Sequence, residues 1–104
     1  MTFQKIAVLA DVPDGGSKAF EVAGHHVLIA RAPMGLFAVG AICSHQYSPL
    51  EGAKMKACFL FCPLHGVRFD LRDGTPAGAL TDRPIPTWPI KLVGEHILID
   101  FGSA

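Results

Sequence analysis

Two short stretches carry the side chains best suited to binding a metal: "CSHQYSPLEG" and "CPLHGVRFD". Cys43 and His45 form a C-x-H pair, Cys62 and His65 form a C-x-x-H pair, and the 16 residues Gln46 to Phe61 lie between them. Two thiolates and two imidazoles fit zinc in a tetrahedral Cys2His2 site. They also fit a two-iron cluster in which histidines replace two cysteines on one iron. Ligand order bears on the choice. A zinc finger groups like ligands, C-x2-4-C and then H-x3-5-H, whereas here each stretch supplies one of each type. For the cluster, Cys43 and Cys62 are assigned to one iron and His45 and His65 to the other.

Four ligands from two stretches need a scaffold that holds two turns side by side, and the rest of the chain reads as strands. Gln4 to Leu9 is the first, closed by the turn cluster "DVPDGG". Ala19 to Val22 and His26 to Arg31 flank "AGH", a hairpin signal because Gly24 takes positive φ without steric cost. Leu36 to Ile42 follows a turn at Pro33 to Gly35, and Ile90 to Val93 pairs with His96 to Phe101 around "GE". Eight prolines and eleven glycines leave little room for helix. The expected fold is all-β, a sandwich or small barrel in one domain spanning 1–104. The block from Cys43 to about Asp73 is inserted between strands as a metal-binding subdomain, with "CFLF" as a strand between the two turns.

Length and composition narrow the function. A chain of 104 residues is about one small domain. Nine basic residues balance nine acidic ones, which disfavours a nucleic-acid partner. The runs "VLIA" and "GLFAVGAI" are far shorter than the roughly 18 to 20 residues of a membrane helix. The start "MTFQKIAVLADVPDGG" has no basic, apolar and cleavage regions of a leader, so a soluble cytoplasmic protein with no membrane partner is expected. Three cysteines argue against a disulfide framework and for reduced thiols acting as ligands or buried apolar groups.

The pattern C-S-H, a spacer of 16, then C-P-L-H-G-V-R-F-D resembles the Rieske 2Fe-2S family, whose cluster turns read C-x-H and C-P-x-H-G-x-x-F-D. "PLEG" and "ALTDRPIPTWPIKL" are similar to that family's glycine turn and proline-rich cover. The resemblance implies one 2Fe-2S cluster held by Cys43, His45, Cys62 and His65. High-potential members instead resemble C-T-H-x-x-C and C-P-C-H-G-S-x-Y, with a disulfide joining the two loops. Here Ser48 and Leu64 stand in place of those cysteines, and Val67 and Phe69 in place of the hydroxyl donors. Without those donors the potential is expected near the lower end of a range of about -150 to +300 mV. By length and motif the chain resembles the free-standing ferredoxins of bacterial ring-hydroxylating oxygenase systems. Such proteins are not enzymes. They carry single electrons from an NAD(P)H-dependent flavoprotein reductase to a terminal oxygenase that hydroxylates aromatic compounds.

The same resemblance implies an exposed tip at the histidine ligands, ringed by Tyr47, Pro49, Leu50, Pro63 and Leu64 as an apolar docking surface. Two other readings stand beside the carrier: a small Rieske-like subunit of a nitrite reductase, and a zinc-stabilised interaction module. Outside the motif, Cys58 reads as a buried structural thiol and Trp88 and Phe101 as core. His25, His26 and His96 read as solvated residues beside turns. Pro84, Pro86 and Pro89 punctuate a loop or, by the resemblance, stiffen a segment over the cluster.

Overall fold

The computed structural model describes residues 3–22, 24–42, 49–62, 68–77 and 84–101. These residues form three antiparallel sheets and one 3-10 turn, Leu9–Asp11, with no α-helix among them. The first sheet has the order β1 (Phe3–Val8), β11 (His96–Asp100), β10 (Ile90–Val93). The second runs β2 (Ser17–Val22), β3 (His25–Ala32), β4 (Gly35–Gly40), β9 (Thr87–Trp88). The third is built from β5 (Met55–Lys56), β6 (Phe59–Phe61), β7 (Arg68–Asp70) and β8 (Pro76–Ala77) in that order. It is inserted in the chain between β4 and β9. The expected all-β architecture with an inserted subdomain is therefore present, and the inserted sheet runs on to Ala77 rather than ending near Asp73.

The expected hairpins form where local chemistry asks for them. Gly24 turns β2 into β3 with φ +83°, and Gly94 turns β10 into β11 with φ +60°. "VLIA" owes its unbroken apolar character to burial on both faces of β3, as happens when a strand is covered above and below. Val27 and Ile29 point toward the first sheet and join Ala38, Ile97 and Ile99 in one core cluster. Leu28 and Ala30 point the other way and join Val39, Leu60, Phe69 and Leu71 in a second. The middle sheet thus lies between the other two, and the alternation along β3 sets which cluster each side chain enters.

The inserted sheet is assembled from strands of two or three residues. Its first hairpin turns at Ala57 and Cys58, between the paired Lys56 and Phe59, and Ala57 sits at φ +54°. That conformation costs a residue with a Cβ about 1–2 kcal/mol, of which glycine recovers part after its own larger loss of chain entropy. Ala57→Gly is accordingly expected to stabilise the fold by up to about 1 kcal/mol, read as a rise in the thermal midpoint. A lowered midpoint would show that the methyl group contributes packing that outweighs the strain.

Candidate metal centre

The residues on either side of the stretch carrying Cys43 and His45 are held together at a fixed base. Ile42 and Pro49 form an isolated antiparallel bridge, and the Leu50 N–H donates to the Ala41 carbonyl at 2.7 Å. The "PLEG" turn that follows is tied to β2. The Ala19 N–H donates to the Glu51 carboxylate at 2.6 Å, and the Gly52 N–H donates to Ser17 Oγ at 3.1 Å. Gly52 takes φ +77°, so the glycine of this motif has a conformational reason. The second segment has its own base, where Phe61 pairs with Arg68 across β6 and β7.

Both bases drain into one buried cluster. Ala41 and Leu50 from the first and Cys62 from the second pack with Leu60, Phe69, Leu71 and Ile85. Cys62 is the one expected ligand among the described residues. It is 3% exposed, one step beyond β6 and on the same side of the strand as Leu60. Cys43, His45 and His65 lie outside the described residues, as do Ser48, Leu64 and Val67. The donor chemistry of the two segments fits an iron–sulfur cluster, and burial of Cys62 keeps its sulfur in the dry surroundings such a group needs.

Two expectations are corrected. Leu50 was expected on the apolar rim of the tip, yet it is fully buried, because the bridge at Pro49 turns the chain inward and Leu50 fills the space between the middle and inserted sheets. Pro49 is exposed as expected, while Tyr47, Pro63 and Leu64 lie outside the described residues. His25 is half-buried rather than fully solvated. Its ring stacks on Phe101 at 4.7 Å between centroids and meets the Trp88 ring edgewise at 5.7 Å. Trp88 and Phe101 pack against the core cluster of the first sheet, and His26 and His96 are exposed, both as expected. Cys58 is a buried free thiol.

The stacked rings flank a groove of about 260 Å³ between His25, His26, Ile42, Pro86 and Trp88, beside the base of the first segment. Nothing in the sequence marks it, since its walls come from positions more than sixty residues apart. The proline-rich stretch contributes by its backbone. Pro86 accepts from the Gly40 N–H at 2.8 Å, and Ile85, 2% exposed, donates its N–H to Gly74 at 2.9 Å.

The F-D pair has a structural explanation. Phe69 is fully buried, and Asp70 organises the turn after β7. Its carboxylate accepts from the Arg72 guanidinium at 2.7 and 3.0 Å and from the Arg72 N–H at 2.9 Å. The guanidinium hydrogen bond holds the Asp70 carboxyl below its ordinary value, against the opposing effect of burial. A carboxyl lowered on folding stabilises above its unfolded value of about 3.9, and that stabilisation is lost as pH falls through the folded value. Asp70→Asn is therefore expected to flatten the fall in thermal midpoint between about pH 5 and about pH 3. An acid limb identical to that of the parent would remove Asp70 from the account.

The family profile described as the Rieske [2Fe-2S] domain matches residues 2–89. The chain belongs to the Rieske [2Fe-2S] domain family. A Rieske-type 2Fe-2S cluster is its cofactor. Among relatives, the biphenyl dioxygenase ferredoxin subunit of Pseudomonas sp. (strain KKS102) is 29% identical over 100% of this chain and 96% of its own length. The solved ferredoxin of carbazole 1,9a-dioxygenase from Nocardioides aromaticivorans IC177 superposes with a TM-score of 0.85. It is 30% identical, over 95% of this Rieske chain and 97% of that one. A Mycobacterium tuberculosis chain described as a putative NADH-dependent nitrite reductase small subunit superposes with a TM-score of 0.87 over 99% and 97% of the two chains. At 14% identity it shares the fold alone. No helix among the described residues is long and apolar enough to cross a membrane.

Proposed function

We propose that this Rieske protein is a one-electron carrier of a ring-hydroxylating dioxygenase system. It takes electrons from an NAD(P)H-dependent flavoprotein reductase and delivers them to a terminal oxygenase in the cytoplasm. The observation that carries this reading is the convergence of the bases of both Cys/His segments on one buried cluster, through Ala41, Leu50 and Cys62. It occurs in a chain whose relatives over nearly its whole length are named as dioxygenase ferredoxin components.

In this reading Cys43, His45, Cys62 and His65 hold the cluster, and residues 1–104 act as one domain. The bound 2Fe-2S group supplies reversible uptake of a single electron. The chain's own residues do the rest. Leu50, Leu60 and Phe69 keep water from the Cys62 side, and the Ile42–Pro49 bridge with the Glu51 and Ser17 hydrogen bonds holds the first segment against β2. Neither Phe69 nor Val67 carries a hydroxyl, which supports a potential low among Rieske proteins. Docking at the histidine-bearing tip uses Tyr47, Pro49, Pro63 and Leu64, a small contact suited to a partner released every turnover.

The deciding experiment is low-temperature EPR of the dithionite-reduced protein, with iron, sulfide and zinc measured on the same sample. A rhombic signal averaging about g 1.9 and about two irons and two sulfides per chain is expected. A colourless, EPR-silent protein with zinc would withdraw the carrier reading in favour of a structural module. Copurification with a large haem-containing subunit would instead make the chain part of a nitrite reductase.

A further inference from the structure

The register of the inserted sheet sorts its side chains onto two faces. Met55, Leu60 and Phe69 are paired neighbours that turn toward the middle sheet. Lys56 pairs with Phe59 and Phe61 pairs with Arg68, while the Phe61 N–H donates to Lys54 at 2.8 Å. Side chains of paired residues share a face, so Lys54, Lys56, Phe59, Phe61 and Arg68 lie together on the outer one. The two phenylalanines are half-buried, the three cations are exposed, and the Arg68 guanidinium sits 5.1 Å above the Phe59 ring.

Among the described residues the cations of this face have no acidic partner. The one acid on the same strands, Asp70, is fully engaged by Arg72. Among the described residues no carboxylate pairs with Lys54, Lys56 or Arg68. In a chain with nine basic and nine acidic groups, three cations without an acidic partner among the described residues concentrate positive charge on this face. The molecule is therefore electrically polar despite its neutrality. An aromatic pair inside a cationic rim is also the composition of an interface centre, where aromatic residues and arginine predominate. The Phe61–Arg68 pair closes the segment that bears His65, so a partner seated here is brought to the base of the proposed exit for electrons.

We propose that this outer face of the inserted sheet docks an acidic patch on a redox partner protein, an inference that rests on the carrier reading. The cations steer the approach and the phenylalanines give the contact its apolar centre.

The test compares two double variants of the cluster-loaded protein with the same change in net charge. Lys54→Glu with Lys56→Glu alters the face, and Lys5→Glu with Lys91→Glu alters the first sheet. Binding of a poly-glutamate peptide is measured by calorimetry. Electron transfer from the reduced protein is measured with ferricyanide, an anionic acceptor that takes one electron and returns the protein to its oxidised form. Wild type is expected to bind the peptide. Its ferricyanide rate should fall as salt rises from about 0.01 M to about 1 M, where the Debye length shrinks from ~30 to ~3 Å. The face variant should lose both effects, with a rate lowered about tenfold at low salt, and the control should stay within about twofold of wild type. Equal losses in both variants, or none in either, would overturn the docking face. So would self-association of wild type that the face variant abolishes, which would make a second copy the occupant. A colourless protein that still binds the peptide through this face would instead retire the carrier reading and leave the anion-binding surface standing.

Discussion

His65→Ala and Cys62→Ala are each expected to remove the cluster: iron and sulfide should fall from about two apiece per chain to near zero, with loss of visible absorption and of the reduced-state EPR signal. The reasoning is chemical. A thiolate or an imidazole on iron has no replacement in a methyl group, and the core around Cys62 contains Leu60, Phe69, Leu71 and Ile85, none of which can ligate. Cys58→Ala supplies the control. Cys58 is equally buried, but it sits in the turn of the first hairpin of the inserted sheet, outside both Cys/His patterns. Its replacement should leave iron content and spectrum unchanged. A His65→Ala protein that folds with the parental spectrum, or a Cys58→Ala protein that loses it, would overturn the ligand assignment.

Among the described glycines, Gly74→Ala is expected to be the most destabilising substitution. Gly74 takes φ +79°, donates its N–H to the Asp70 carbonyl at 2.6 Å and accepts from the Ile85 N–H at 2.9 Å. A Cβ there would collide with the Ile85 carbonyl oxygen, which is backbone and has nowhere to swing. Relief requires moving the 84–86 stretch, and with it the buried Ile85 side chain and the Pro86 acceptor of the Gly40 N–H. The left-handed conformation alone costs about 1–2 kcal/mol, and displacing a buried isoleucine costs about 2–5 kcal/mol. A loss of about 3 kcal/mol or more follows, equivalent to a thermal midpoint lower by about 15 °C or more. Gly24→Ala isolates the conformational part, since at φ +83° a Cβ meets nothing within 4 Å. It should cost at most about 1 kcal/mol, since glycine's own loss of chain entropy offsets part of the strain. Equal midpoints for the two variants would show that the seam between Gly74 and Ile85 yields readily.

The seam explains why the proline-rich stretch is informative in a way that composition does not reveal. Pro84 and Pro86 flank one buried isoleucine, and their fixed φ limits how the 84–86 backbone can rearrange. The stretch then contributes Thr87–Trp88 as the edge strand of the middle sheet, beside Ala38 and Val39. The inserted sheet is thus joined to the middle sheet at both ends, by the "PLEG" turn on β2 and by the Gly74–Ile85–Gly40 links.

Local chemistry alone determined the candidate ligand types and their spacing, the hairpins at Gly24 and Gly94, and the all-β class. Each depends on residues adjacent in the chain: a glycine that accepts positive φ, a cysteine and a histidine two or three positions apart, prolines that exclude helix. The tertiary structure decided what the periodicity of short strands cannot carry. Strands β5, β7, β8 and β9 have two or three residues, too few for an alternation to register, and the chain order hides that β9 pairs with β4 and β1 with β11. Leu50 reads as rim from its neighbours Pro49 and Glu51, and becomes core because Leu60 and Phe69 arrive beside it from the inserted sheet. His25 reads as a turn residue, and becomes a stacked ring because Phe101 and Trp88 return to it from the far end of the chain. Burial depends on partners brought close by the fold, and no local pattern specifies which partners those are.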